Sequence, residues 1–270
     1  MFYIGGDCQI HPSATINVLE GFIGNGSIIR EDAVIEGRLV EIGREAVIGR
    51  RAHIGGGSCF TEGASLRAGD WMHMGTDSHI NTATGVEVGH SFGLGVGSKI
   101  FTHGAYLDSF NLGAPSQWGS VTIGDNVWLP HAWVNPGVNI GSNVVISAMS
   151  LVNRDIPSGS LAGGIPVKIL KEKFLPRKLN DLEKGKLIYL ILDQLKNRSD
   201  FNKNTDIVFK NNILFVLDGE SKSIFDLDKL TIAGQVSSNS VIVKDQLRRH
   251  GIRFRYSPMN AEWEPWEKDG

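Results

Sequence analysis

Cysteine is nearly absent from this 270-residue chain: Cys8 and Cys59 stand far apart and form no CxxC pair. That argues against a disulfide scaffold and fits a reducing compartment. Long apolar runs are missing too, so no segment reads as a membrane-spanning helix. The opening residues have neither a charged start nor an apolar core, so no secretory leader is expected and the chain is read as cytoplasmic. An excess of charge is also lacking. A net charge of −2, with 21% charged residues, predicts no general affinity for nucleic acid or anionic membrane. Glycine, by contrast, is abundant at 33 positions, spread along the chain rather than massed in a linker.

The glycines punctuate a rhythm. Ile123, Leu129, Val134, Ile140, Ile146 and Val152 recur every six positions, apart from one step of five at Leu129 to Val134. Gly124, Gly141 and Ser147 follow three of them. A period of six fits neither an α-helix nor an isolated strand. It fits a solenoid whose coil is a triangle, each side one short strand with its aliphatic residue inward and small residues at the corners. The same rhythm opens the chain at Ile4, Ile10, Ile16, Phe22, Ile28 and Val34. It re-registers at Ile42, Ile48, Ile54, Phe60 and Leu66, then at Met74, Ile80 and Val86, then at Val88, Leu94 and Ile100. At three hexads per coil the repeats predict roughly nine coils, which bury their aliphatics only by stacking on one another.

Between Ile100 and Val121 the rhythm stops. Gly, Pro, Ser and Asn mark residues 101–120 as a loop. Its aromatics Phe101, Tyr106, Phe110 and Trp118, together with Asp108, point to a binding role, since long solenoid insertions cluster on the binding face. After Ile169 the character changes to a basic hinge (Lys171, Lys173, Arg177, Lys178) and an α+β appendage. Asn180-Asp181 offers a helix cap before an apolar stripe through Leu182, Leu187, Ile188, Ile191, Leu192 and Leu195. A hairpin with Asn211-Asn212 at its turn, a short helix near 243–249 and a strand at 252–256 follow. The stripe's place directly after the last coil predicts that it caps the solenoid, and Trp263 and Trp266 are expected in packing.

The run IGDNVW, then PGVNIG, then DIP followed by GGIPVKIL, resembles the closing coils of the hexapeptide-repeat acyltransferases. It is most similar to the maltose, galactoside and virginiamycin O-acetyltransferase branch and its polysaccharide-acetylating relatives. The resemblance implies an all-β left-handed parallel β-helix, a hexapeptide-repeat solenoid, over residues 1–170. An active-site loop would lie at about 101–120, and a small C-terminal α+β domain at 171–270. The left hand rests on the resemblance alone, because general crossover rules favour the right. It further implies acetyl-CoA as co-substrate, a sugar or glycan of a surface polysaccharide as acceptor, and a homotrimer with active sites between subunits.

Acyl transfer to a hydroxyl needs a base near the acceptor and a donor for the oxyanion, and histidine suits the base. Of eight histidines, His103 in IFTHG lies where the chain leaves the solenoid for the loop. In the resembling enzymes a histidine at this place is the catalytic base. Two departures stand out: Gly104 follows His103, and Trp118 stands where a proline often precedes the returning valine. His79 and Asn81 project from one strand face in DSHIN, and the resemblance gives Asn81 an acceptor-facing part. Tyr106, Asp108 and Trp118 join them as substrate-binding candidates. His53 and His90 read as unremarkable corner residues. For the coenzyme the resemblance implies Trp128, Ala148, Ser150, Asn153, Arg154 and Lys168, with Arg154 and Lys168 placed to neutralise phosphates.

Three other readings compete. One is N-acetylation of a nucleotide-linked amino sugar, where the amine attacks without a demanding base. Another is a γ-carbonic-anhydrase-like zinc protein using His73, His79 and His103, although a six-residue step should turn His73 and His79 to different faces. The third is a non-catalytic β-helix scaffold. The acetyltransferase reading, with no bound metal expected, accounts for both the loop histidine and the closing motif.

Overall fold

The computed structural model describes residues 1–266. The chain divides into two compact units, Met1–Arg177 and a second from Lys178 onward. The break falls past residue 170 because Lys168–Lys171 still pairs with Leu161–Gly163, and the Phe174 N–H still donates to the Gly159 carbonyl. Among the described residues no helix is long and apolar enough to cross a membrane.

The first unit is a parallel β-helix built on three aliphatic stacks. The first face stacks Ile4, Ile23, Ile42, Ala68, Val88, Ile123, Ile140 and Ile156 in register. The second runs from Ile10 through Ile29, Ile48, Met74 and Leu94 to Leu129, and then Ile146 and Ala162. Ile16, Ile35, Ile54, Ile80, Ile100, Val134 and Val152 make the third. Beyond the first coil, all of these except Ala68 are buried, and they join one continuous core. The second face carries eight parallel strands from Gln9–Ile10 to Leu161–Gly163. Eight coils therefore stand where the hexad count predicts about nine. The difference lies at the corners.

Two corner effects correct the expected register. From Ile16 to Ile23, and again from Ile35 to Ile42, the step is seven residues, because Thr15–Ile23 and Val34–Ile42 run unbroken round the corner between the third and first faces. Gly21 (φ 117°) and Gly37 (φ 149°) allow that bend, and a Cβ on Gly21 would overlap the Val40 carbonyl. Ile23, Ile29 and Ile35 consequently fill the core, while Phe22, Ile28 and Val34 face outward, half-buried. Phe60 departs further. It is 43% exposed in an insertion, residues 56–64, that leaves the solenoid after His53–Gly55 and returns at Ser65–Ala68.

The corner between the first and second faces shows why polar residues recur there. The Arg44 N–H donates to Asp70 Oδ1 (2.9 Å) and the Asp70 N–H to His90 Nδ1 (2.9 Å). The His90 N–H donates to Asp125 Oδ1 (2.7 Å), and Ser142 and Ser158 continue the series. Each side chain satisfies an N–H of the coil before it, which a solenoid corner would otherwise leave unpaired. His90 is one rung of this ladder.

The second unit has its own core. A four-stranded antiparallel meander (Asp206–Lys210, Ile213–Asp218, Ser221–Asp226, Thr231–Gly234) packs with helices α1 (Asp181–Lys196) and α2 (Ser238–Arg249). Asn180 caps α1 in a capping box with Glu183, and Asn211 and Asn212 take the left-handed conformations a tight hairpin turn needs. The stripe expected to cap the solenoid is committed here: Ile188, Ile191 and Leu195 pack with Leu214, Val216 and Phe225. The strand expected at 252–256 lies at Tyr256–Met259 and forms a hairpin with a further strand, Glu262–Pro265. Trp263 is buried there, its indole N–H donating to Ser223 Oγ (3.0 Å).

The stacks make a direct prediction. Ile80, fully buried between Ile54 and Ile100, should cost about 2–5 kcal/mol on replacement by alanine, whereas Phe60→Ala should change stability by no more than ~0.5 kcal/mol. Chemical-denaturation midpoints of the two variants check this; equal losses would contradict the assigned register.

Candidate active site

The corner between the third and first faces is not uniform. In the coil of Ile54 it carries the 56–64 insertion, and in the coil of Ile100 it carries the 101–120 loop. The coil between them, that of Ile80, turns tightly from His79–Asn81 to Gly85–Val88. Asn81 therefore lies in a niche between two insertions, and only 3% of it is exposed.

Its amide is fully used. Nδ2 donates to the carbonyls of Gly55 (3.4 Å) and Gly57 (3.3 Å). Oδ1 accepts from the Thr102 hydroxyl (2.9 Å) and lies 2.8 Å from His103 Nδ1. The two carbonyls fix which end of the amide is nitrogen, since carbonyls only accept. The oxygen facing His103 is then an acceptor, so His103 Nδ1 carries the ring proton and Nε2 offers its lone pair. A Cβ built on Gly57 would sit 3.8 Å from His103 Nε2, so the space before that nitrogen is bounded by a residue without a side chain.

The neck of the loop holds the ring from the other side. His103–Gly104 pairs antiparallel with Gln117–Trp118, setting His103 opposite Trp118. The imidazole and indole stack with centroids 4.9 Å apart and planes at 24°. Trp118 stays 53% exposed, and its Nε1–H donates to Ser116 Oγ (3.0 Å). Beyond this neck Tyr106 is 98% exposed, clear of the niche. The Asp108 carboxylate accepts from the Asn111 side chain and from the Asn111 and Phe110 N–H groups, which hold it below the usual carboxylate range. Asp108 ties the loop to itself.

His79 looks outward from the third face beside this niche. Its ring stacks on His53 (4.8 Å, 14°), meets the Phe101 edge, and places Nε2 3.3 Å from the Gly55 carbonyl oxygen. His53 Nε2 in turn lies 3.1 Å from Glu36 Oε1. His73 is on the second face, so it and His79 point apart as the six-residue spacing requires. Two residues of this neighbourhood carry no motif. Glu36 and His53 are recognisable only once the register places His53 beside His79.

The coenzyme candidates spread over the closing coils. Trp128 is half-exposed, its ring lying over Gly93, where a Cβ would collide with it. Ala148 is exposed at a corner beside Met149 (φ 57°). Ser150 is buried, and its hydroxyl donates to the Ser147 carbonyl (2.6 Å) and accepts from the Gly164 N–H (3.0 Å). That hydroxyl is a structural clip. Asn153, Arg154 and Lys168 are exposed. Asn81, expected to face an acceptor, has its amide enclosed by Gly55, Gly57, Thr102 and His103.

Burial, then the neighbouring His53, lowers the His79 pKa below its ordinary 6.5. The unfolded chain then binds the proton more readily than the folded one, so stability should fall as pH drops through and below 6.5. Denaturation midpoints at about pH 7.5 and about pH 5.5 should converge in His79→Gln relative to the parent chain. An unchanged pH dependence would contradict the burial assigned to His79.

No family model matches the chain. It is 45% identical over 65 residues to galactoside O-acetyltransferase of Escherichia coli (strain K12), a match covering 24% of this chain and 29% of that protein. It is 36% identical over 75 residues to a chloramphenicol acetyltransferase of Klebsiella aerogenes, covering 27% of this chain and 33% of that one. The matched stretch thus spans about a third of these relatives' own length. Among solved structures, a polysialic acid O-acetyltransferase aligns over 67% of this chain and 93% of its own, at 18% identity and a TM-score of 0.46. These relatives found by sequence are acetyltransferases.

Proposed function

We propose that the chain is an acetyl-CoA-dependent O-acetyltransferase acting on a sugar, with His103 as the general base. The observation that carries this reading is the 2.8 Å contact between His103 Nδ1 and the buried Asn81 amide oxygen, which selects the Nδ1–H tautomer and leaves Nε2 toward the space bounded by Gly57. That is the state a base needs before it accepts a proton. In the reaction, Nε2 takes the proton of the acceptor hydroxyl as its oxygen attacks the thioester carbonyl. A C–O bond forms, the C–S bond breaks, and the proton passes to the departing thiolate. No acyl-enzyme is required. Cys59 is buried, and burial raises its thiol pKa, which disfavours the thiolate.

The closing coils suit coenzyme A in kind. Arg154 and Lys168 are exposed cations that can meet phosphates, and the exposed Ala148 corner leaves backbone open to a pantetheine chain. A coenzyme site on one side of a β-helix is half a site. A homotrimer in which a second subunit closes it, as the family resemblance implies, is part of the proposal. So are a surface polysaccharide or its precursor as acceptor and a cytoplasmic location, where acetyl-CoA is supplied. The relation to galactoside O-acetyltransferase favours a hydroxyl over an amine.

Thiol release from acetyl-CoA in the presence of simple galactosides and oligosaccharides tests the reading. His103→Ala should lower kcat by about 10²–10⁴-fold while acetyl-CoA binding stays near its parent value. Full activity in that variant would remove His103 as the base.

A further inference from the structure

The insertion at 56–64 begins with glycines, and side chains of the third face grip this glycine turn on both sides. The Gly56 N–H donates to Glu36 Oε1 (3.3 Å), the same oxygen that lies 3.1 Å from His53 Nε2. His79 Nε2 lies 3.3 Å from the Gly55 carbonyl oxygen, and the Asn81 amide donates to that same oxygen (3.4 Å). The next carbonyl but one, that of Gly57, takes the other Asn81 proton (3.3 Å). Gly55 (φ 125°) and Gly56 (φ 94°) hold conformations that side chains rarely adopt. A Cβ on Gly56 would stand 3.3 Å from His79 Nε2 and 3.5 Å from Asn81 Nδ2, so this turn is wedged between the two side chains.

We propose that Glu36, His53 and His79 are positioning residues: they clamp the glycine turn at 55–57, the turn fixes the Asn81 amide, and the amide sets the tautomer of His103. The logic is one of donors and acceptors. An asparagine amide fits its niche in two orientations related by a half-turn. With the Gly55 and Gly57 carbonyls in place, only the orientation with nitrogen toward them is satisfied. Should those carbonyls withdraw, the amide can turn its NH₂ toward His103. Nδ1 must then become the acceptor, the ring proton moves to Nε2, and the lone pair leaves the acceptor side. His79 has to donate to the Gly55 carbonyl, so its Nε2 carries a proton. Its stack on His53 and the carboxylate of Glu36 behind that ring place the donor.

This inference rests on the proposed base role of His103, but its test needs no turnover. In the full-length protein labelled with ¹⁵N-histidine, the parent chain should show His103 protonated at Nδ1, its signals assigned by their loss in His103→Ala. His79→Ala should replace that signature with a mixture of tautomers or with the Nε2-protonated form, and His79→Gln, whose amide can still donate, should restore it. Glu36→Gln is the milder second variant, which should produce the mixture in part even where His79→Ala does not fold. Unchanged His103 nitrogen shifts in folded His79→Ala or Glu36→Gln would overturn the clamp. Acetyl-CoA binding, followed by calorimetry, should match the parent in all of these; its loss in step with the tautomer change would mark a general collapse of the site and equally overturn the proposal. A failed clamp leaves the kinetic effect of His103→Ala standing, so the two readings fail separately.

Discussion

Everything in the first unit follows from the requirement that each inward aliphatic rest on the equivalent one in the coil before it. Ile16, Ile35, Ile54, Ile80, Ile100, Val134 and Val152 form an unbroken column, and none of its members from Ile35 onward is measurably exposed. A column of that kind cannot absorb an extra residue within a face, because a one-residue slip would turn every side chain outward. Additional chain is expelled at corners. The 56–64 insertion and the 101–120 loop leave from the same corner in two coils that flank a tight one. Stacking therefore does more than stabilise the solenoid: it brings both insertions to bear on the coil between them, where Asn81 lies.

On the proposed reading, chemistry at this corner depends on where one proton sits. Asn81 is buried and satisfied by partners from the coils on either side: Gly55 and Gly57 before it, Thr102 and His103 after it. A buried amide with every group paired is rigid, since turning it would leave a carbonyl, a hydroxyl or a ring N–H unpaired at about 1–3 kcal/mol each. The Trp118 indole lies over the imidazole and leaves Nε2 at the open side beside Gly57. On the proposed reading, His103 needs no charged partner to be held as a base. A neutral amide takes the part that a carboxylate plays in other arrangements.

The sequence carried the architecture well where hexads were clean and poorly where two apolar residues stood side by side. At Phe22-Ile23, Ile28-Ile29 and Val34-Ile35 either member satisfies a period of six, and only the continuous strands round the corner decide that the second points inward. Phe60 kept the rhythm by coincidence, since the glycines before it open an insertion that takes it out of the core. His103 stood out as a candidate because it stands at the border of a loop rich in aromatics. The enclosure of Asn81 was not, because its partners lie 21 to 26 positions away and no local pattern reports them. Glu36 and His53 were hidden for the same reason, and the α1 stripe could not say which core it would join until the meander after it was seen.

On the proposed mechanism, acetyl transfer occurs at the Nε2 side of His103, in the space bounded by Gly57. The decisive measurement is a structure of the protein with coenzyme A bound. The thiol sulfur should end within reach of His103 Nε2, with the phosphates near Arg154 or Lys168 and a second subunit closing the groove. A sulfur that ends beside His53 and His79, or on the second face near His73, would contradict that mechanism.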